Sequence, residues 1–573
     1  MTDVAAEGTV SPRSDAPAKK ETVAQRVERI KREKPSWSIM DDIRRYARDG
    51  FAAIPPDDLS VRFRAWGLYT QGDGNGTRGE EQPFFMMRLR TPNGLLTADM
   101  VRTIAELSDR YARGSIDITN RQNFQLHWLR IEDVPAVWDA LARVGWTSQG
   151  SCGDNTRTVT GCPLAGVQHD EIIDASPIAL AVDRFLNGNA DYANLPRKFK
   201  ITITGCAHWC TYPEINDIGV TAVRRADGVV GFQVRVGGGL STRPHLALPL
   251  PAFVHPHQVI EVIEAAVGIF RDSDELRLNR AKARMKFLFL THGWTADKFL
   301  AEIERRTGHT LERLEDYEAP GGSYRDHVGI HAQKQPGLYY AGFSITSGRV
   351  TTEQLRRVAA LAADHGDGTL RLTAMQNVVV LNIPRAKLSA FVADSRAAGL
   401  QLAGSPFQRG TVSCTGSEFC KLAITETKRF SIRLAHELEA RVPGFADDIK
   451  LHVTGCPNSC GQHWIADVGL QGVLINRGGE QVEGYDVFVG GALGAASGAR
   501  EGTIARRVGH RVAADEAADA LERLFTTFAR DREPHEAFAT WANRTSDEAI
   551  RAALTVDDGA VLVGAGADEG EAA

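Results

Sequence analysis

The chain has 573 residues, 24% charged and 43% hydrophobic, with a formal net charge of −5, which is typical of a folded protein of several domains. The slight negative charge argues against a nucleic acid partner, and no apolar run approaches the about eighteen residues of a membrane-spanning helix. Eight cysteines without a secretory signal predict a cytoplasmic location and metal ligands rather than disulfides.

Both ends of the chain differ in composition from the rest. Residues 1–20 are rich in Ala, Ser, Pro and Lys, a composition that predicts a disordered tail. The following segment, residues 19–51, has a helical pattern with Lys and Glu expected to face solvent. Residues 546–573 are predicted to form a second tail.

An internal repeat organises the chain. Gly94–Asn123 aligns without gaps to Gly348–Asn377, and each copy predicts a helix that begins near a threonine, followed by an alternating strand. A second block, FKITITGCAHWC (199–210), matches IKLHVTGCPNSC (449–460), and VGGGL (236–240) matches VGGAL (489–493). One such match can arise by chance, but several in the same order favour duplication.

Cationic residues occur inside predicted strands and glycine-rich loops. Arg88 lies in the apolar run FFMMRLR, where a buried guanidinium requires an anionic partner. Further candidates share such settings: Arg121, with Gln125 two pleats along the same predicted strand; Arg157, in a glycine-rich loop; and Lys198 and Lys200, two apart, which a strand would point the same way. The alternative for each is an ordinary surface charge.

Four cysteines near the C-terminus carry the strongest motif. They have the spacing Cys414-x5-Cys420 and Cys456-x3-Cys460. Four thiolates suit either an iron–sulfur cluster or a tetrahedral zinc ion. Zinc knuckles usually have two to four residues between paired ligands, so the gap of five favours the cluster. Four unrelated buried thiols are the remaining alternative.

The N-terminal half holds the other four cysteines. Cys206 and Cys210 repeat the spacing of the second C-terminal pair, whereas Cys152 and Cys162 are separated by nine residues instead of five. A second iron–sulfur site, or the relic of one, therefore remains open.

These motifs resemble those of the sirohaem-dependent nitrite and sulfite reductases, and the resemblance covers roughly residues 60–545. It implies an α+β fold with two pseudo-symmetric halves around one sirohaem, each half a ferredoxin-like unit plus a cofactor-binding α/β unit. The expected domains are 1–59 (tail and helices), 60–150 (first ferredoxin-like half-domain), 151–339 (sirohaem and substrate domain), 340–405 (second ferredoxin-like half-domain), 406–545 (cluster and sirohaem domain) and 546–573 (tail).

The resemblance also implies roles for the site residues. Cys414, Cys420, Cys456 and Cys460 would hold one [4Fe–4S] cluster, with Cys460 bridging to the sirohaem iron. Arg88, Arg157, Lys198 and Lys200 would surround the substrate face of that iron, and Arg121 and Gln125 would hold sirohaem carboxylates. Tyr69 and Cys152 match a pair that can be covalently linked in actinobacterial sulfite reductases, the alternative being an ordinary tyrosine and a free thiol.

The implied reaction is the six-electron reduction of sulfite to sulfide. Because no dinucleotide or flavin fingerprint precedes the first strand, ferredoxin is the expected electron donor of a monomeric enzyme. Lys200 favours sulfite, since plant-type nitrite reductases have asparagine there, whereas the segment DNTR (154–157) resembles the nitrite branch. Nitrite reduction to ammonia is thus the alternative; a zinc scaffold and a precorrin-type enzyme of cobalamin synthesis are remoter ones.

Overall fold

Four β-sheets form the framework of the chain. The computed structural model describes residues 21–74, 82–315, 317, 326–494 and 502–555. Two of the sheets are antiparallel and two are mixed, and they alternate along the chain. This order matches the fold class predicted from the duplicated sequence.

The two antiparallel sheets exchange one strand with each other. The first sheet has the order β1 (Leu68–Thr70), β2 (Phe85–Arg88), β5 (Phe124–Leu129), β4 (Ser115–Ile118) and β14 (Arg349–Thr351). The second has the order β12 (Gly329–Ala332), β13 (Leu338–Phe343), β16 (Val378–Pro384), β15 (Thr369–Leu372) and β3 (Leu95–Thr97). Each sheet is therefore completed by a strand from the other half, which ties the halves together.

The repeated block has the same elements in both copies. In the first copy β3 leads into α3 (Ala98–Tyr111) and β4, and in the second β14 leads into α9 (Thr352–His365) and β15. The threonine before each helix accepts a hydrogen bond at its side-chain oxygen, from the Met100 amide in one copy and the Gln354 amide in the other. Two further helices, α4 (Val134–Arg143) and α10 (Leu388–Ala397), flank these sheets.

A glutamine at the end of each copy makes the pseudo-symmetry visible at the level of single bonds. Gln122 and Gln376 both have positive φ, 55° and 63°. The Gln122 side chain donates to the Gly161 carbonyl and accepts from the Gly161 amide, and Gln376 makes the same two bonds with Ser413. The predicted duplication is confirmed at these positions.

The two mixed sheets each begin with three parallel strands. One runs β6 (Thr160–Gly161), β7 (Ile201–Thr204), β8 (Ile218–Arg224), β9 (Val230–Val236), β10 (Leu248–Val254) and β11 (Glu312–Arg313). The other runs β17 (Thr411–Ser413), β18 (Leu451–Thr454), β19 (Val468–Arg477), β20 (Glu480–Val489) and β21 (Arg506–Ala513). Because parallel strands end at the same edge of a sheet, the loops after β6 and β7, and after β17 and β18, lie side by side.

Helices cover both mixed sheets. The first is covered by α5 (Ser176–Leu186), α6 (Val259–Arg271), α7 (Lys286–Thr291) and α8 (Ala296–Thr307). The second is covered by α11 (Pro406–Gly410), α12 (Lys428–Arg441), α13 (Ala517–Asp531), α14 (Phe538–Arg544) and α15 (Asp547–Leu554). Each unit has its own apolar core, so each can position a separate set of loops.

The predicted N-terminal helices are present as α1 (Val23–Glu33) and α2 (Ile39–Asp49). The expectation that their charges face solvent is wrong for Glu28 and Lys31, which are both buried. Lys31 is buried, with its Nζ 2.5 Å from Glu28 Oε1 and 3.0 Å from the Leu195 carbonyl. The ion pair and the hydrogen bond replace the water that the buried ammonium group has lost. The bond to Leu195 also fixes α1 against the first mixed-sheet unit.

The predicted C-terminal tail is partly folded. Residues 547–554 form α15, and its Ile550 and Leu554 belong to the core of the second mixed-sheet unit. Residues 556–573 of that predicted tail, and the predicted tail at residues 1–20, lie outside the described residues. Within the described ranges, no helix is long and apolar enough to cross a membrane.

Candidate active site

The four C-terminal cysteines meet at one edge of the second mixed sheet. Cys414 directly follows β17, and Cys456 and Cys460 follow the adjacent parallel strand β18. Cys420 is brought in by a turn in which its amide donates to the Gly416 carbonyl over 2.9 Å. Burial, together with the charges of Cys460, Cys414 and Cys456, raises the pKa of Cys420 to about 12.

Close backbone approaches shape the loops that carry these thiols. A Cβ on Gly461 would lie 2.1 Å from the Val453 carbonyl oxygen, so no side chain fits beside Cys460. The Gly455 amide donates to Cys414 Sγ over 3.2 Å, an interaction that stabilises negative charge on sulfur. Cys460 is the exposed member of the four, so its thiol is accessible to a second group.

The first antiparallel sheet packs onto the cysteine loops. Asn120 Nδ2 donates to the Cys460 carbonyl over 2.7 Å. Phe419, next to Cys420, stacks on His127 of β5 with ring centroids 3.9 Å apart. The sheet therefore fixes the loops from one side, and its own polar residues face the same space.

Arg88 stands at the centre of these polar residues. It is paired with Gln125 across β2 and β5, and its guanidinium donates to Gln125 Oε1 over 2.7 Å and to Cys152 Sγ over 3.0 Å. Burial alone would lower the pKa of Arg88, but Cys152, Tyr69 and Cys460 together raise it. Arg88 thus connects the predicted Tyr69–Cys152 pair with the exposed cluster thiol.

Tyr69 shares this environment. Burial raises its pKa, the Cys152 thiol raises it further, and Arg157, Arg64 and Arg88 oppose the shift. Tyr69 and Cys152 are therefore close enough to interact, whereas a bond between them stays a prediction.

The other predicted cations lie in the same region. Burial lowers the pKa of Lys198 to about 8, assisted by Arg284 and Arg157 and opposed by Cys460. Burial and the neighbouring charge of Lys198 put the pKa of Lys200 well below its usual value. The charge of Lys198 thus acts on Lys200, and the Cys460 thiol acts on Lys198.

Arg121 joins the same group from another element. Burial and the nearby Arg157 together lower its pKa to about 9. Its guanidinium donates to Asn216 Oδ1 over 2.7 Å and to the Thr158 carbonyl over 2.8 Å, so it spans the first antiparallel sheet and the first mixed sheet.

Two local predictions need correction. Arg121 does not share a strand with Gln125: it lies in the turn between β4 and β5, because Thr119 and Asn123 exchange turn hydrogen bonds there. Lys198 and Lys200 precede β7 instead of lying within it, on either side of Phe199, which bridges to Thr156. The prediction that they share a direction therefore rests on this isolated bridge instead of a strand.

The surplus cysteines separate into two places. Cys152 contacts Arg88, whereas the sulfur atoms of Cys162, Cys206 and Cys210 lie within 4.8 Å of one another elsewhere. The open question of a second site therefore concerns Cys162, Cys206 and Cys210, and Cys152 lies apart from them.

Some residues of the site were not predicted. Asn120 is one, and Arg197 is another. Burial and the nearby Arg280 together lower the pKa of Arg197 to about 10. A signal for Asn120 exists in the repeat, because the second copy has Ala374 and Met375 where the first has Asn120 and Arg121. A difference between the copies at otherwise matching positions marks the half that carries polar function.

The residues present fit a large anionic cofactor beside a thiolate-bound cluster. Five cations of the site form no ion pair with a carboxylate among the described residues. They are Arg88, Arg121, Arg157, Lys198 and Lys200. All five are only partly buried. Unpaired cations gathered inside a protein are costly unless an anion accompanies them.

Comparison with known proteins decides the family. Residues 152–311 and 404–560 match the nitrite and sulphite reductase 4Fe-4S domain, and residues 78–144 and 331–398 match the nitrite/sulfite reductase ferredoxin-like half domain. The chain belongs to the nitrite and sulphite reductase family. It is an oxidoreductase whose cofactors are a sirohaem and a [4Fe–4S] cluster.

Individual relatives match this reductase over most of its length. An assimilatory ferredoxin-dependent nitrite reductase of Haloferax mediterranei is 36% identical, covering 90% of each chain. A ferredoxin sulfite reductase of Mycolicibacterium paratuberculosis is 39% identical, covering 88% of this chain and 92% of the relative. The solved structure of Mycobacterium tuberculosis NirA protein superposes with a TM-score of 0.85 at 37% identity, covering 92% of this chain and 97% of that one.

Proposed function

We propose that this reductase converts sulfite to sulfide in a six-electron reaction, with ferredoxin as electron donor. The observation that carries the choice of sulfite is the position of Lys200 beside Lys198, Arg121 and Arg284, which together form a cationic group. The names of its relatives include both sulfite and nitrite reductases, so the substrate is argued from this cationic group.

Charge distinguishes the two substrates. Sulfite carries more negative charge than nitrite near neutral pH, so an additional cation stabilises bound sulfite more. The region around Lys200 also holds Asp217, which accepts from the Lys200 amide over 2.8 Å and pairs with Arg284 at 2.8 Å. Because one carboxylate neutralises only part of this positive charge, the lysines favour a substrate of higher charge.

Each site residue is assigned one role. Sirohaem and the cluster, when bound, supply the electrons and the iron to which the substrate binds. Lys198, with a pKa of about 8, can donate protons near neutral pH, while Lys200, Arg88 and Arg157 neutralise the substrate oxygens. Arg121 and Gln125 are assigned to the sirohaem carboxylates.

The metal ligands follow from the edge of the second mixed sheet. We assign Cys414, Cys420, Cys456 and Cys460 to the cluster, and Cys460 to the bridge towards sirohaem because it is the exposed thiol. We place Tyr69 and Cys152 beside the sirohaem, because both act on Arg88 together with Cys460.

The wider assignments belong to the same proposal. The domain boundaries are those expected above, with the last unit extended to residue 555 to include α15. A monomeric enzyme in the cytoplasm, with a soluble electron donor, completes the proposal.

Nitrite reduction is the second candidate. It is favoured by the Haloferax mediterranei relative, which is named as a nitrite reductase and is 36% identical over 90% of this chain. The resemblance of the segment DNTR (154–157) to nitrite reductases supports nitrite less strongly. Its Asp154 pairs with Arg280 at 2.5 Å and with Lys31 at 3.6 Å. These contacts give Asp154 a structural role in fixing α1.

Replacing Lys200 by asparagine tests the choice of substrate. An extra unit charge about 7 Å from a cation is worth about 2 kcal/mol at an effective dielectric constant near 20. We expect Lys200→Asn to shift the ratio of kcat/KM for sulfite over nitrite towards nitrite by roughly 10- to 50-fold. Lys282→Asn, which removes an exposed lysine, is the matched control and should leave the ratio unchanged.

The outcome separates binding from proton transfer. A loss confined to KM would indicate that Lys200 only binds substrate, and a loss in kcat would indicate that it also acts in the chemical step. An unchanged ratio in Lys200→Asn would remove the support for sulfite.

A further inference from the structure

The duplication gives the N-terminal half its own counterpart of the cluster ligands. In the first mixed sheet Thr160 lies opposite Thr202 and Gly161 opposite Ile203. In the second, Val412 lies opposite His452 and Ser413 opposite Val453. Each pair of strands thus places a cysteine next along the chain, Cys162 in one half and Cys414 in the other.

The glutamine bonds give the same alignment independently. Gln122 binds the backbone of Gly161, and Gln376 binds the backbone of Ser413. These are the residues immediately before Cys162 and Cys414. With this register Cys206 and Cys210 correspond to Cys456 and Cys460, and the position of Cys420 is taken by Gln168.

The three N-terminal thiols have the spacing of ligands to a single ion. Cys206 Sγ and Cys210 Sγ are 3.8 Å apart, and all three sulfur atoms lie within 4.8 Å of one another. A tetrahedral ion with metal–sulfur bonds of about 2.3 Å requires sulfur atoms about 3.8 Å apart. No three of the C-terminal cysteines, all of which are described, approach this closely, as expected of thiolates around a larger cluster.

Gln168 lies at the fourth corner of this group. It is 3% exposed, and its Oε1 is 3.7 Å from Cys162 Sγ. Its amide nitrogen instead contacts Asp170, which also bonds His208 Nε2 at 2.8 Å. The amide therefore presents its oxygen to the thiols, and a neutral oxygen is a weaker ligand than a thiolate.

The surroundings suit a structural ion. Cys162 and Cys206 are each 1% exposed, and Tyr340, Val379 and Leu381 of the second antiparallel sheet pack against them. Cys210 is only partly buried, which leaves a path for a metal ion. An ion here would join the loop after β6 to the turn after β7, at the contact with the second ferredoxin-like sheet.

We propose that Cys162, Cys206 and Cys210 bind one thiophilic metal ion, with Zn²⁺ as the expected ion and Gln168 Oε1 at the fourth position. Three soft thiolates select Zn²⁺ over hard cations. The missing fourth cysteine and the short sulfur separations favour a single ion over a second iron–sulfur cluster. This site is separate from the catalytic cofactors and does not depend on which oxyanion is reduced.

Metal analysis of the purified holoenzyme tests the site. We expect one Zn²⁺ per chain in addition to the iron of one cluster and one sirohaem. After removal of the zinc with a chelator, Co²⁺ should bind with the same stoichiometry and give the absorption bands of tetrahedral thiolate coordination. This readout does not require turnover, so it is independent of the proposed function.

Substitutions assign the ligands. Cys210→Ser, which changes the most accessible of the three thiols, should abolish zinc binding while the sirohaem and cluster absorbance remains. Cys152→Ser, which changes a buried thiol outside the group, should retain one zinc. Gln168→Cys should bind zinc at least about tenfold more tightly, because it completes four thiolates.

Several results would overturn the proposal. A holoenzyme that takes up neither Zn²⁺ nor Co²⁺ at this stoichiometry contradicts it, whatever the variants do. Zinc retained in Cys210→Ser, iron in excess sufficient for a second cluster, or a disulfide between Cys206 and Cys210 in the enzyme isolated without oxidants would also contradict it.

Discussion

Removing one partner of the buried ion pair between Arg90 and Asp183 should strongly destabilise the site. The guanidinium makes two bonds to the carboxylate, at 2.7 and 2.9 Å, and both side chains are buried. Arg90 also donates to the carbonyls of Gly150 and Thr156. It therefore holds both ends of the loop that carries Cys152 and Arg157.

Replacing Arg90 by methionine leaves the carboxylate buried without its partner. Breaking a buried pair in this way costs about 3–5 kcal/mol, and we expect Arg90→Met to lower the free energy of unfolding by about 4 kcal/mol. The double variant Arg90→Met/Asp183→Leu should lose less than the sum of the single variants, because no unpaired charge remains.

Urea unfolding followed by circular dichroism measures these costs. The matched control is Arg102→Met, which breaks a bond of 2.7 Å to Asp99 between side chains that are 42% and 77% exposed. An exposed pair is worth less than about 1 kcal/mol. If Arg90→Met cost no more than this control, the argument that burial makes the pair decisive would be refuted.

Two further predictions concern the cysteine loops and the proton donor. Gly461→Ala should reduce the iron and inorganic sulfide content, because its Cβ would lie 2.1 Å from the Val453 carbonyl; full cluster content would contradict this. The pKa of Lys198 is lowered to about 8, so its ammonium form is lost as the pH rises above that value. We therefore expect kcat/KM to fall above about pH 8. Bound anionic cofactors raise the pKa of Lys198 and move this fall to higher pH. Lys198→Arg should move the fall upward, and a profile with no fall up to pH 10 would contradict the assignment.

The duplicated architecture could be predicted because it repeats local signals. The threonine caps, the alternating strands and the glutamines occur at matching positions in both copies, and each is determined by neighbouring residues. The exchange of β3 and β14 between the sheets could not be predicted in this way, because pairing of Leu95 with Arg371 joins positions far apart in sequence.

The same distinction, between local signals and contacts distant in sequence, applies to the candidate site. The grouping of Cys414, Cys420, Cys456 and Cys460 could be predicted from their spacing, because each pair lies in one loop. The match between Cys162 and Cys414 was missed because it needs a gap relative to the following block, and only strand register reveals it. Asn120 was missed because its role depends on a contact with Cys460, 340 residues away.

The central claim is that the reductase prefers sulfite. The most direct test is the kcat/KM of the unaltered enzyme for sulfite and for nitrite, measured with reduced ferredoxin under the same conditions, with sulfide and ammonium quantified as products. The cationic group around Lys198 and Lys200 predicts a higher value for sulfite and full conversion to sulfide. A higher value for nitrite, with ammonium as the product, would contradict the account.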